Sequence, residues 1–332
     1  MFSSISLKSN YLNLIRHNIK SILYRKGLNL KILARGGLGN QLFQFCFIHG
    51  YAGKYKKIEI GIIPDPRAAF DRPFELATLL DHCNHVNLVD TNFFRANQTF
   101  KLRMVRIRER IVFRKFTNLI PVLDKMELHE KTPFVFSIPK KRLAKINLPI
   151  NGYFQHWRFV ENVWPVIKEE LNGLLSHHLR ELESRKIFDE KYIVLHIRGG
   201  DFLPLSEIFG VLSPSYYLEA LEHVKKITSN EYRIIVVTND DNFAKKFVQI
   251  IGISDFEILG SENLTPWETL AIMSAATAVI CANSTFSWWG GYLCMKKGGV
   301  CIAPENWYKA FGKKSSLALG HPNFVTITEP FD

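Results

Sequence analysis

Apolar residues along this chain gather in short runs separated by longer stretches of helical spacing. The runs Leu30–Ala34, Ile58–Ile63, Val86–Val89, Tyr192–Ile197, Arg233–Val237, Phe256–Leu259, Ala278–Cys281 and Gly299–Ala303 read as strands. Between most of them the period becomes that of a helix, over Gln41–Lys54, Arg158–Arg185, Tyr216–Thr228, Asn242–Ile250, Trp267–Ala275 and Ser287–Met295. Continuous apolar runs suit strands covered on both faces, as in parallel sheets. Strand–helix alternation therefore predicts an α/β protein with parallel sheets and right-handed crossovers. The segment 158–186 divides the pattern into two Rossmann-like domains, 31–157 and 187–310, expected to face one another across a cleft. Residues 1–30 form an N-terminal extension and 311–332 a C-terminal tail, while 91–150 fit the alternation poorly.

Charge changes this picture locally. The net charge is +12, yet residues 1–31 hold six basic and no acidic side chains, and residues 100–146 hold thirteen basic against four acidic. The remainder is slightly acidic, so the basicity is patchy and suits phosphates, nucleic acid or an anionic membrane. Within 11–26, Leu12, Ile15, Ile19, Ile22 and Leu23 lie near helical spacing among Arg16, Lys20, Arg25 and Lys26. That is a basic amphipathic helix, which either packs on the domain or lies on a membrane surface. No apolar run is long enough to span a bilayer, and the start lacks the compact apolar core of a signal peptide. Five cysteines without a C-x-x-C pair argue for a reducing compartment, and a cytoplasmic location is expected. His82-Cys83-x-His85 lacks a fourth ligand nearby, so no metal site is expected.

Four strand ends carry candidate chemistry. After the first strand, Gly36, Gly37 and Gly39 lead into Asn40 and Gln41 at a helix entrance, where free N–H groups attract anions or sugar hydroxyls. A dinucleotide fingerprint would need Gly or Ala where Leu42 stands, although Glu59 has the spacing of a ribose-binding acid. At the end of Tyr192–Ile197 come His196 and Arg198, on one face of the strand, then Gly199, Gly200 and Asp201. Arg198 is suited to gripping a phosphate, and Asp201 to bracing that arginine. Asn239 and Asp240 follow the next strand, as helix cap or as acceptors for a guanine ring. Asn283, Ser284, Thr285 and Phe286 open a helix after a buried strand, and Trp288 and Trp289 beyond them suit the core.

Together these pieces resemble glycosyltransferase family eleven, the α-1,2-fucosyltransferases. The matching stretches are Gly36-Gly-Leu-Gly-Asn-Gln-Leu-Phe-Gln44, Gly152-Tyr-Phe-Gln-His-Trp157, His196-Ile-Arg198-x-x-Asp201 and Thr238-Asn-Asp240 with Phe243. Ala282-Asn-Ser-Thr-Phe-Ser-Trp-Trp-Gly290 and Ile302-Ala-Pro-Glu-Asn-Trp307 complete the set, in the family's order from about 31 to 308. The resemblance implies a GT-B-like fold with an acceptor-side domain at 31–157 and a donor-binding domain at 187–310. It also implies metal-independent, inverting transfer from GDP-fucose to the 2-hydroxyl of a terminal galactose or similar sugar. Arg198 is the expected catalytic residue. His196, Asn239, Asp240, Asn283, Ser284, Thr285 and Phe286 are expected to hold the donor, Gly36, Gly37, Gly39, Asn40 and Gln41 to line the cleft, and Asp201 to support Arg198. No cofactor and no nucleic acid partner are expected. The acceptor is expected to be a lipid-linked glycan, in bacterial surface polysaccharide synthesis of O-antigen type, and the enzyme itself to be cytoplasmic and peripheral on the inner membrane.

One departure stands out. The family usually has two adjacent arginines, and this chain has Gly199 in the second place. No residue stands out as the base for the acceptor hydroxyl. Two other readings follow from the residues: an NAD-type enzyme using the glycine turn, and a non-catalytic basic module for nucleic acid or anionic lipid.

Overall fold

A computed structural model describes residues 30–34, 36–52, 60–64, 74–80, 86–88, 152–183, 191–228, 232–260, 262–328 and 330–331. The basic amphipathic segment 11–26, the basic stretch 100–146, Glu59, and His82 through His85 lie outside them. The chain divides into two compact units, 1–165 and 166–332.

In the first unit, β1 (Leu30–Ala34), β2 (Ile60–Pro64) and β3 (Val86–Leu88) form a parallel sheet in the order β1-β2-β3. Ile32 pairs with Ile62, and Ile62 with Leu88. Helix α1 (Leu38–Ala52) follows β1, and the short α2 (Ala77–Leu80) precedes β3. The α1 side chains Leu42, Phe43, Phe45, Cys46, Phe47 and Ile48 are all buried. A helix apolar on every side belongs inside its domain. Helix α3 (Trp157–Glu183) buries Val160, Val163, Ile167, Leu171, Leu174, Leu175 and Leu182, a stripe at three- and four-residue spacing. Pro165 sits inside it, at the division between the units, and supplies no N–H to the helical ladder.

The second unit holds a six-stranded, fully parallel sheet in the order β6-β5-β4-β7-β8-β9. The strands are β4 (Tyr192–Ile197), β5 (Arg233–Thr238), β6 (Glu257–Gly260), β7 (Ala278–Ile280), β8 (Val300–Pro304) and β9 (Val325–Ile327). This is the doubly wound order, built outward from β4 first to one side and then to the other. Every residue of β4 is buried, as its central place and its apolar run require. Between β4 and β5 the chain makes a 3-10 turn (Gly200–Leu205), α4 (Ser206–Phe209) and α5 (Pro214–Ile227). Then come α6 (Asp241–Ile250), α7 (Pro266–Ala275), α8 (Thr285–Lys296) and α9 (Lys313–Leu319).

The helix starts have local causes. Ser213 accepts from the Tyr216 N–H ahead of Pro214, and Thr265 and Glu268 form a capping box ahead of Pro266. Such caps contribute about 1 kcal/mol each, and proline at the first helical position arrives with its φ already set.

The segment 311–332, expected as a tail, is instead part of this unit. Ile302 pairs with Val325, and the Ser213 N–H donates to the Pro330 carbonyl at 2.8 Å. The expectation of two α/β units, each with a parallel sheet, is met.

Candidate functional site

A doubly wound sheet opens a crevice where the strand order reverses, outside the carboxyl ends of the two strands that flank the reversal. Here those strands are β4 and β7. The residues that leave them are His196 and Arg198 on one side and Asn283 to Phe286 on the other. Two of the four candidate strand ends thus meet at the switch point. A third, Asn239 and Asp240, leaves β5, the other neighbour of β4.

Internal hydrogen bonds give this crevice its shape. Asn239 Oδ1 accepts from the Gly199 N–H at 3.2 Å, tying the end of β5 to that of β4. Asp240 Oδ1 accepts from the Phe243 N–H at 3.0 Å and caps α6, one of the two roles that its sequence allows. Asn283 Nδ2 donates to the carbonyls of Phe209 at 2.7 Å and Gly210 at 3.1 Å, anchoring the α4 loop to the end of β7. Ser284 Oγ accepts from the Ser287 N–H at 3.1 Å and caps α8. Each of these side chains therefore has a positioning task within the protein, set before any ligand arrives.

Two buried polar atoms on these elements have no partner among the described residues. His196 is buried, and its Nδ1 has no hydrogen-bond partner among the described residues. Its ring stands edge-on to Phe286, with centroids 5.9 Å apart, and its carbonyl accepts from the Tyr217 hydroxyl at 2.8 Å. Burial, helped by the Arg198 charge, pushes the His196 pKa down to about 3, so the imidazole is neutral near pH 7. A neutral imidazole offers a ligand one donor and one acceptor without adding charge. Ser287 Oγ, one turn into α8, is likewise buried and without a partner among the described residues.

Arg198 supplies the positive charge. Its guanidinium carbon lies 4.8 Å from the centroid of the Phe202 ring. Thr285 is buried at the first position of α8, whose N-terminus carries a partial positive charge of its own. A cation and a helix N-terminus at the carboxyl ends of two central strands can hold an anion. The Asp201 side chain, expected to brace Arg198, lies outside the described side chains.

Gly199 has a steric reason in this chain. A Cβ built on it would lie 2.6 Å from Cγ and Cδ1 of Phe243 and 2.9 Å from its Cβ. The ring of Phe243 covers the backbone where the family's second arginine would start.

In the first unit the glycine turn is more occupied than its sequence suggests. The Leu38 N–H at the start of α1 donates to Glu75 Oε2 at 2.8 Å, so a carboxylate already sits there. A pyrophosphate at that helix end would meet a like charge, and the buried Leu42 denies the helix the close packing that a third glycine permits. The NAD reading has no support here. Gln41 is buried and spent: Nε2 donates to the Gly36 carbonyl at 2.7 Å, and Oε1 accepts from the N–H groups of Glu75 and Leu76, both at 3.0 Å. Its expected cleft role thus becomes that of a brace. Gly36 and Gly37 lie half-buried in the turn, and Gly39 is buried in the first turn of α1.

The motif 152–157 joins the same place. Gln155 Nε2 donates to Asn40 Oδ1 at 2.9 Å, and Gln44 Nε2 to the Gly152 carbonyl at 2.9 Å. Phe154, with φ 53°, holds a backbone conformation that a bulky residue rarely adopts. Its buried ring stacks on Phe47 at 3.8 Å and 8°, which offsets a strain of about 1–3 kcal/mol. His156 is buried beside it, its pKa pushed down to about 4 by burial and by Arg158.

Residues 29–327 match the family Glycosyl transferase family 11. The chain belongs to that family. Among its relatives is an Escherichia coli protein named Alpha-1,2-colitosyltransferase, 26% identical over 82% of this chain and 90% of that protein. Another, the Escherichia coli O-antigen biosynthesis glycosyltransferase WbnK, is 26% identical over 86% of this chain and 96% of its own length. A third, the Galactoside 2-alpha-L-fucosyltransferase of Caenorhabditis elegans, is 23% identical over 82% of this chain and 70% of that protein. The chain is thus a glycosyltransferase, and the switch-point crevice is its candidate donor site.

Among the described residues, no three His, Cys, Asp or Glu side chains gather to hold a metal ion, and no helix is long and apolar enough to cross a membrane. Trp288 and Trp289 are core residues, as expected: both are fully buried, and Trp288 Nε1 donates to the Leu319 carbonyl at 2.7 Å.

Proposed function

We propose that this family 11 member moves L-fucose from GDP-fucose to the 2-hydroxyl of a terminal galactose or similar sugar. The transfer inverts the anomeric carbon and requires no metal. The observation that carries this reading is Arg198 at the end of β4, beside the N-terminus of α8 at the switch point. In the step itself the acceptor oxygen bonds to the anomeric carbon as the bond to the β-phosphate oxygen breaks. GDP leaves with that electron pair, and the hydroxyl proton passes to a base. The chemistry asks the protein to stabilise charge growing on the leaving diphosphate. Arg198 offers two parallel N–H donors for it, and α8 its aligned backbone dipoles. One such preorganised donor is worth about 10²–10³ in rate. Neutral His196 adds a hydrogen bond to the nucleotide rather than charge.

The relatives support the position of the new bond more firmly than the sugar. The colitosyltransferase and the Caenorhabditis fucosyltransferase differ in the sugar that they are named for, yet both names specify the 1,2 or 2-α position. A colitosyl donor is therefore the second reading. The O-antigen name of WbnK supports a bacterial surface polysaccharide as product. With it goes a lipid-linked acceptor at the cytoplasmic face of the inner membrane, where residues 11–26 would rest peripherally. Incubation with GDP-fucose and a β-galactoside, followed by NMR of the product, tests the whole. A Fuc-α-1,2-Gal linkage is expected. Transfer from a GDP-colitose donor alone would move the assignment to the second reading, and transfer from UDP-sugars alone would overturn both.

A further inference from the structure

We infer that Phe202 and Phe209 form an aromatic seat that positions Arg198, and that Asn283 anchors the seat. This rests on the donor-site reading of Arg198 and adds to the crevice Phe202 and Phe209, which its motifs do not contain. The seat begins with a turn. Gly200, at φ 53°, lets the chain fold back after β4, and the Phe202 N–H closes on the Gly199 carbonyl at 3.1 Å. That turn lays the Phe202 ring beneath the guanidinium, 4.8 Å from ring centroid to Arg198 Cζ. Phe202 in turn stacks on Phe209, with centroids 4.6 Å apart and planes 19° from parallel. Phe209 also meets the Tyr308 ring, tilted by 50° with centroids 5.6 Å apart.

Asn283 fixes the column to the sheet. Its amide bonds the carbonyls of Phe209 and Gly210, so the end of β7 holds the loop that carries the second ring. On the other side of the loop a Cβ on Gly210 would lie 2.5 Å from the Phe331 ring, so the C-terminal segment presses against the same point. An arginine on a long, rotamer-rich side chain loses much freedom when it grips a phosphate. A ring face already set against the guanidinium lowers that loss, and the attraction between cation and π-face favours the same position. The seat also fits the missing neighbour. With Gly199 where a second arginine would stand, the orientation of the Arg198 guanidinium matters more.

GDP titration calorimetry on the full chain, with donor and acceptor kinetics, tests this. Phe202→Leu keeps apolar bulk and removes the ring face. It should weaken GDP about 5- to 20-fold, within the range of a partly buried cation–π contact, and raise donor KM while leaving acceptor KM unchanged. Phe202→Tyr should restore binding to within about twofold of wild type, since the phenol keeps the π-face. Mono-, di- and trifluorinated phenylalanine at 202 should weaken binding in graded steps with little change in melting temperature. Packing alone would not produce that gradient. Flat affinity across the fluorinated series, with Arg198→Ala losing GDP, would overturn the seat and leave the donor site standing. Undiminished GDP binding by a folded Arg198→Ala would overturn the donor reading itself.

Discussion

Gly199→Ala is the smallest change that probes how this crevice is built. The added methyl carbon would lie 2.6 Å from two ring atoms of Phe243 and 2.9 Å from its Cβ. These are atoms near the root of the side chain, so a rotation at the ring's far end cannot clear them. Either Phe243 leaves its place against Phe247, where the rings now lie 5.7 Å apart, or the backbone at the end of β4 moves. Overpacking of this kind costs about 1–3 kcal/mol. For a unit of this size each kcal/mol shifts the melting temperature by about 2–4 °C, so a loss near 5 °C is expected. Moving the β4 end also disturbs the bond from the Gly199 N–H to Asn239 and the aim of Arg198, so GDP affinity should fall too. A double-mutant cycle with Phe243→Ala isolates the effect. That substitution removes two of the three close contacts, so the pair should lose less stability than the two singles added, by about 1–2 kcal/mol. The same logic makes Gly199→Arg harmful in this background despite the family's usual arginine. Urea unfolding of the four proteins measures all of it. Full stability of Gly199→Ala, or strict additivity with Phe243→Ala, would refute the steric account of Gly199.

Other consequences can be checked separately. Arg198→Ala should lower donor turnover by about 10²-fold or more with an unchanged far-UV spectrum, and full turnover by the folded variant would remove its assigned role. Glu75→Gln keeps an acceptor for the Leu38 N–H but removes a charge at the start of α1; thermal melting should show a loss of about 0.5–1 kcal/mol, and no loss would argue that the carboxylate does not serve the helix. His196 has a folded pKa pushed down to about 3, so the unfolded chain binds the proton more tightly and stability falls as the pH drops below about 6.5. Between pH 7 and pH 5 this one group should remove about 2 kcal/mol, and His196→Gln should show a correspondingly shallower decline; an equal slope in both proteins would refute the buried neutral imidazole. Transfer should survive excess EDTA, whereas loss with recovery on adding a divalent cation would contradict the metal-free step.

Much of the fold is legible in the sequence because its strands are buried on both faces. Tyr192–Ile197 is a continuous apolar run because β4 is central, and the runs at 233 and 278 flank it as β5 and β7, with the run at 300 next to β7. Strand β9 escaped notice because Val325–Ile327 is three residues long at the sheet edge. His196 and Arg198 could be paired in advance, since residues two apart on a strand share a face. The work of Asn283 could not, because its partners lie 74 and 73 residues away, on the loop that follows β4. Gln41 shows the same limit: amides at a helix entrance suit ligands and braces equally, and the contacts with residues 75 and 76 decide.

Calorimetry of the wild-type chain against GDP, GDP-fucose, UDP and ADP, beside Arg198→Ala, decides whether the crevice at β4 and β7 is the donor site. GDP and GDP-fucose should bind the wild type, UDP and ADP far more weakly, and the variant should lose GDP. Binding of UDP or ADP in preference to GDP, or equal GDP binding by wild type and variant, would contradict it.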